Sequence, residues 1–104
     1  MLKPYKIKML PLAKIDLTEI VDYLSDFSES VATKQYDKII EKINDLKQFP
    51  FKCVEYKASN LHYKYRRMVV DNYLVFYVVF NEHIEIHRII HTKRDLSNFP
   101  DLDI

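Results

Sequence analysis

The chain has 104 residues, 48% hydrophobic and 30% charged, with a formal net charge of +1; this suits one soluble domain with a single two-layer core and excludes a uniformly basic nucleic-acid binder. Glycine is absent and cysteine occurs once, at Cys53, which excludes glycine-rich phosphate loops, Rossmann-type sites and an internal disulfide. No apolar run approaches the roughly 20 residues of a membrane helix, and "MLKPYKIKMLP" lacks the apolar stretch of a signal peptide, so the expectation is a cytoplasmic protein with no membrane partner.

In chain order, "YKIKML" alternates Tyr5, Ile7 and Met9 with lysines, the pattern of a half-buried strand. Pro11 stands where a helix begins. From there Ala13, Leu17, Ile20, Leu24 and Phe27 recur at spacings of 4, 3, 4 and 3, one apolar helix face. "SDFSES" breaks the pattern, and Ser28 or Ser30 is the N-cap expected for a second helix. Ala32, Tyr36, Ile39, Ile43 and Leu46 repeat the same spacing, Ile40 widens the stripe and Pro50 ends it. Two such helices joined by a short polar link predict an antiparallel hairpin.

The period then changes from helical to alternating. Residues 51 to 63 read as a loop or a short strand. Residues 64 to 70, 73 to 80 and 84 to 91 read as strands, joined by turns at Asp71-Asn72 and Asn81-Glu82-His83. Without glycine, any turn position with positive φ falls to Asn or Asp. One helical turn is expected around Leu96 to Phe99. The fold class is therefore α+β: an N-terminal strand, a helix hairpin and a three-stranded antiparallel meander in one sheet, all in a single domain spanning 1 to 104. The strand "YLVFYVVF" is apolar on both faces. One face packs on the hairpin; the other needs a cover, either the 51 to 63 segment or the C-terminal tail, or a partner protein.

Charge is unevenly distributed. Residues 11 to 49 carry five lysines against eight acids, a balance of −3, and residues 52 to 94 carry eight Lys or Arg against four acids, a balance of +4. All four arginines and all four histidines lie in the second segment. His83, His87 and His91 share strand parity, but four residues of strand separate neighbours by roughly 13 Å, too far for two ligands of one zinc. No metal and no cofactor is expected. Phosphate chemistry suits the residue types better. Cleavage of RNA through its own 2′-hydroxyl needs a proton acceptor, an acid and cations, and no metal. Histidine suits the proton transfer and arginine the phosphate. The candidates are His91, Arg67 and Arg94 as catalytic groups, with Arg66, Lys93, Lys64 and His62 as substrate-binding groups. Strand parity predicts Ile84, Ile86, Arg88 and Ile90 toward the helices and His83, His87, Ile89 and His91 on the opposite face. Arg88 would then be structural, reaching out at the edge or pairing with a helix acid.

The whole pattern resembles the RelE/ParE superfamily of bacterial toxins, the toxin half of type II toxin–antitoxin pairs. Its carriers are "AKIDLTEIVDYL", "QYDKIIEKINDLKQFP", "RRMVVDNYLVFYVV" and "IHRIIHTKRD". The resemblance implies a cognate antitoxin and a choice of targets. RelE-like members cut mRNA on the ribosome without metal, whereas ParE-like members inhibit DNA gyrase and cleave no RNA. Many RelE-like members carry an arginine directly after the tyrosine opening the central strand; here Leu74 follows Tyr73. His91 matches a position that is catalytic in some members. The expectation is a ribosome-associated mRNA endoribonuclease, with gyrase inhibition, or a non-toxic binding role, as the alternatives.

Overall fold

In the computed structural model, which describes residues 3–57 and 62–94, the chain runs β1 (Lys6–Met9), α1 (Pro11–Ser25), α2 (Glu29–Asp45), β2 (Arg66–Val70), β3 (Tyr73–Val79) and β4 (His83–His91). The strands form one sheet in the order β1-β4-β3-β2, with β1 parallel to β4 and the other neighbours antiparallel. This is the expected α+β arrangement. The turn expected around Leu96 to Phe99 lies outside the described residues, as do residues 58 to 61 of the unassigned segment.

Local chemistry accounts for the helix limits. Pro11 opens α1, where its missing N–H costs nothing. The Ser28 hydroxyl accepts the Val31 N–H at 3.2 Å, and Glu29 stands in the first turn of α2. Phe27, expected on the apolar face of α1, lies beyond its end and is 73% exposed. The hairpin buries Ala13 and Leu17 of α1 and Ile39, Ile43 and Leu46 of α2 against Met68, Val75, Tyr77, Ile84, Ile86 and Ile89 of the sheet. Each large apolar side chain so buried contributes about 1.5–3 kcal/mol. The β2–β3 turn needs one left-handed residue, and Asp71 takes it with φ of 53°.

The opposite face of the sheet holds a second cluster of Tyr65, Leu74, Phe76, Val78 and Ile90, with Tyr56 and Phe80 packed on it. Tyr56 is in the segment read as loop or short strand. It donates its N–H to the Tyr65 carbonyl at 2.7 Å, and Glu55 bridges Arg66 on the edge of β2. Part of the cover therefore comes from within the chain.

One irregularity corrects the face assignment in β4. Phe76 is opposite Arg88 and Tyr77 is opposite Ile86, so His87 is an extra, bulged residue. Ile84 and Ile86 face the helices as expected. Beyond the bulge parity reverses: Ile89 joins the helix-side core and Ile90 the far cluster. His91 pairs with Tyr73, a member of the helix-side core, and therefore lies on the helix side and not opposite it.

Candidate functional site

The end of β4 gathers three of the expected residues. His91, Lys93 and Arg94 are all exposed, and the Arg94 N–H donates to the His91 carbonyl at 3.0 Å, closing a tight turn. The His91 ring meets Tyr73 edge-on at 5.5 Å. His91 and Arg94 border a cleft of about 270 Å³ whose other wall carries Glu19, Tyr23 and Tyr73. Burial, with the neighbouring Tyr23, raises the Tyr73 phenol above its ordinary pKa. The Nδ1 atom of His91 accepts the Lys93 backbone N–H at 3.1 Å. A neutral ring held this way carries its hydrogen on Nε2, so it offers the cleft a donor and not a base.

The other expected residues are elsewhere. Arg66 is opposite Tyr77 and His91 is opposite Tyr73. Four positions along the sheet, roughly 13 Å, and two strand spacings, roughly 10 Å, thus separate their backbones. Arg66 holds the loop before β2: its Nη1 donates to the Cys53 carbonyl at 2.6 Å, its guanidinium lies 5.0 Å from the centre of the Phe51 ring, and Glu55 is 4.0 Å away. In the same loop Tyr77 donates its hydroxyl proton to the Pro50 carbonyl at 2.9 Å, and burial pushes that phenol well above its usual pKa. Arg67 lies over the Tyr56 ring at 5.8 Å, on the far-face side. His62 and Lys64 are exposed just before β2, at the Arg66 end. One phosphate therefore cannot touch both His91 and this arginine pair. Among the described residues no group of three His, Cys, Asp or Glu side chains is placed to hold a metal ion.

Two polar networks lie along β4: the pairing of Arg88 with a helix acid was expected, but which acid, and the whole of the second network, were missed from sequence. After Met9, β1 turns away into α1 and leaves the edge of β4 open beyond Ile86. Asp16 occupies the vacated place: its Oδ2 accepts the Ile89 N–H at 2.9 Å and Arg88 Nε at 2.8 Å, and its Oδ1 accepts Arg88 Nη2 at 2.9 Å. The available signal was an acid directly beside Leu17 on the stripe of α1. Arg88 is the structural residue its pairing with a helix acid predicted. On the other face, Tyr65 Oη lies 2.9 Å from His87 Nδ1, His87 Nε2 lies 3.0 Å from Glu85 Oε1, and His83 Nε2 lies 3.2 Å from Glu85 Oε2. The consistent assignment has His87 donating from Nε2 to Glu85 and accepting the Tyr65 hydroxyl proton at Nδ1. Burial raises the Glu85 carboxyl, but the hydrogen bonds from His87 and His83 outweigh it and hold its pKa below the usual carboxylate value. The His87 side chain is 3% exposed, so the imidazole at the centre of this chain faces no solvent-borne substrate, while His83 at its end is 39% exposed.

The family model described as "ParE toxin of type II toxin-antitoxin system, parDE" matches residues 7–96. Among solved structures, a chain of the chromosomal ParDE toxin–antitoxin system from P. aeruginosa superposes with a TM-score of 0.68 at 22% identity, covering 84% of this chain and 95% of that one. That likeness is one of fold. No curated protein matches the chain.

Proposed function

This chain belongs to the ParE toxin family of type II toxin–antitoxin systems, and we propose that it arrests growth by inhibiting DNA gyrase, with a cognate antitoxin holding it inactive. The observation that carries this reading over ribonuclease action is the dispersal of the cations. Arg66 and Arg67 are engaged by the loop before β2, roughly 13 and 10 Å along the sheet from the His91 position and two strands across from it. Cleavage of RNA needs its proton-transfer groups and its phosphate-holding cations at one phosphorus atom. Leu74 in place of the RelE-like arginine, buried in the far cluster, removes one more ligand. Binding a protein target makes no such demand.

The ribonuclease reading keeps one feature, the His91–Arg94 corner and its cleft, so the test addresses both. Purified chain is added to gyrase, ATP and relaxed plasmid, and transcripts are mapped after induction in cells. Blocked supercoiling with uncut transcripts is the expected result. Undisturbed supercoiling with cut mRNA would replace gyrase by RNA as the target. Unimpaired growth on induction would leave only a binding role.

A further inference from the structure

The end of the molecule where the segment after α2 meets the starts of β1 and β4 plays no part in the His91 corner. Phe49 and Phe51 are 65% and 58% exposed there. They line a cleft of about 370 Å³ with Tyr5, Lys3, Lys47 and Lys52. A second cleft of about 760 Å³ shares Tyr5 and Phe51 and continues to Phe80 and His83. Tyr5 and Phe51 meet edge-on at 6.5 Å, and the Phe80 and His83 rings are stacked at 4.7 Å with 6° between their planes. The charges bordering the two clefts are three lysines against one acid, Glu82. None of these lysines enters an ion pair among the described residues.

We infer that this row of rings with its lysine rim is a docking surface for single-stranded nucleic acid. The exposed Phe49 ring, and Phe51 on the side that Arg66 leaves open, take unstacked bases of any sequence; the half-buried Tyr5, Phe80 and His83 extend that apolar floor, and flanking ammonium groups track the phosphates. An acidic peptide suits the surface less well. The backbone here has little to offer an added strand: Tyr5 N–H donates to the Lys47 carbonyl at 3.0 Å, Lys6 N–H to the Glu82 carbonyl at 3.1 Å, and Phe80 N–H to the His83 carbonyl at 2.8 Å. A duplex suits it less well too, since its bases present no free faces. The tip of the helix hairpin supplies an internal contrast. Tyr23 and Phe27 form an equally exposed ring pair at 5.2 Å, but its immediate sequence neighbours are the acids Asp22, Asp26 and Glu29, with no lysine between residues 15 and 33, and a polyanion is disfavoured there.

The inference stands apart from the choice of gyrase or mRNA as target. Its test is fluorescence anisotropy of the purified full chain with a labelled thymidine oligonucleotide of about 15 nucleotides. Binding is expected at low salt, weakening with salt at a log–log slope of about −2 for three phosphate contacts. Phe49→Ala is expected to weaken it roughly tenfold, and Lys47→Gln or Lys52→Gln to reduce the slope by about 0.7 each. Phe27→Ala is expected to change nothing. A uridine RNA of the same length is expected to bind within about threefold of the DNA, since stacking and phosphate contact do not read the sugar. Thermal melts establish that each variant is folded, and Phe49 is the deciding position because, unlike Phe51, it supports no arginine. The inference is overturned by any of four results: no binding at low salt, full binding by folded Phe49→Ala, duplex bound as tightly as single strand, or displacement of the oligonucleotide by an acidic aromatic peptide at lower concentration than by unlabelled oligonucleotide.

Discussion

Asp16–Arg88 and the Tyr65–His87–Glu85–His83 chain both adjoin the bulge in β4; the first is buried and the second runs from buried Tyr65 and His87 out to half-exposed His83, and they join different things. The first ties α1 to the edge of β4 across 72 positions of sequence. The second ties three residues of β4 to Tyr65, just before β2. In the first, both carboxylate oxygens and two guanidinium nitrogens are used by one partner pair plus a backbone N–H. In the second, one carboxylate is shared by two imidazoles. A buried carboxylate thus replaces a missing strand in the first, and in the second a carboxylate holds the bulged His87.

The largest effect expected from breaking this comparison is at Asp16. Asp16→Ala removes from an interior site the carboxylate that accepts from the Arg88 guanidinium and the Ile89 N–H, and the cost expected is about 3–5 kcal/mol. Urea denaturation measures it. Asp16→Leu combined with Arg88→Met should cost much less than Asp16→Ala alone, because a hydrophobic pair leaves no uncompensated charge. A double variant as unstable as the single would mean that capping the Ile89 N–H, and not pairing the charges, is the main contribution.

The far-face chain comes second. His87→Leu strips Tyr65 and Glu85 of a buried partner, with an expected cost of about 1–3 kcal/mol. The same network sets a pH dependence. The folded pKa of Glu85 is depressed, after burial is outweighed by the hydrogen bonds from His87 and His83. Its contribution is therefore fully present above the carboxyl's unfolded pKa and is lost as pH falls through the folded value. Glu85→Gln should flatten that acid-side loss relative to wild type. An unchanged slope would mean that the carboxylate is not what those histidines stabilise.

These networks also mark where the sequence was legible and where it was not. Periods of 3.6 and 2 are set by which face meets the core, so the hairpin and the meander could be read from Ala13 to Leu46 and from Met68 to Ile90. Side-chain chemistry alone narrowed the cap to Ser28 or Ser30 and the positive-φ turn position to Asp or Asn, and the structure takes Ser28 and Asp71. The bulge at His87 could not be read, because an extra residue in one strand is defined only by its partner's register. That single insertion reversed the faces of Ile89, Ile90 and His91; the distance between His91 and the arginines comes from the antiparallel register itself, which sets Arg66 opposite Tyr77 and His91 opposite Tyr73. Arg66 shows the same limit from another side. An arginine opening a strand looks the same in sequence whether it awaits a phosphate or, as here, holds the Cys53 carbonyl.

A third comparison point is His91 itself, exposed where His87 is buried. His91→Ala should leave stability within about 0.5 kcal/mol of wild type, the range for surface positions. It should also leave toxicity intact if gyrase is the target. Loss of toxicity in a folded His91→Ala protein, together with cut transcripts in wild type, would restore the ribonuclease reading.

The smallest effect is expected at an ion pair that resembles Asp16–Arg88 in connectivity but not in burial. Lys38 of α2 donates to Asp71 at 2.8 Å and Gln35 at 3.2 Å, tying the hairpin to the β2–β3 turn. The Lys38 and Gln35 hydrogen bonds hold the Asp71 carboxyl below its usual pKa. The contribution is present above the unfolded pKa of the carboxyl and is lost as pH falls through the folded one. Both side chains are well exposed, 49% and 38%, so water and salt screen the attraction. Lys38→Met should therefore lower the melting temperature only slightly, and the difference from wild type should shrink toward zero at about 1 M salt. Asp71→Val should cost more than Lys38→Met although it removes the same ion pair, because φ of 53° is hostile to a β-branched residue. Asp71→Asn, which tolerates that conformation, should lie close to wild type. If Lys38→Met instead destabilises as much as Asp16→Ala and resists salt, burial is not what distinguishes the two helix-to-sheet pairs.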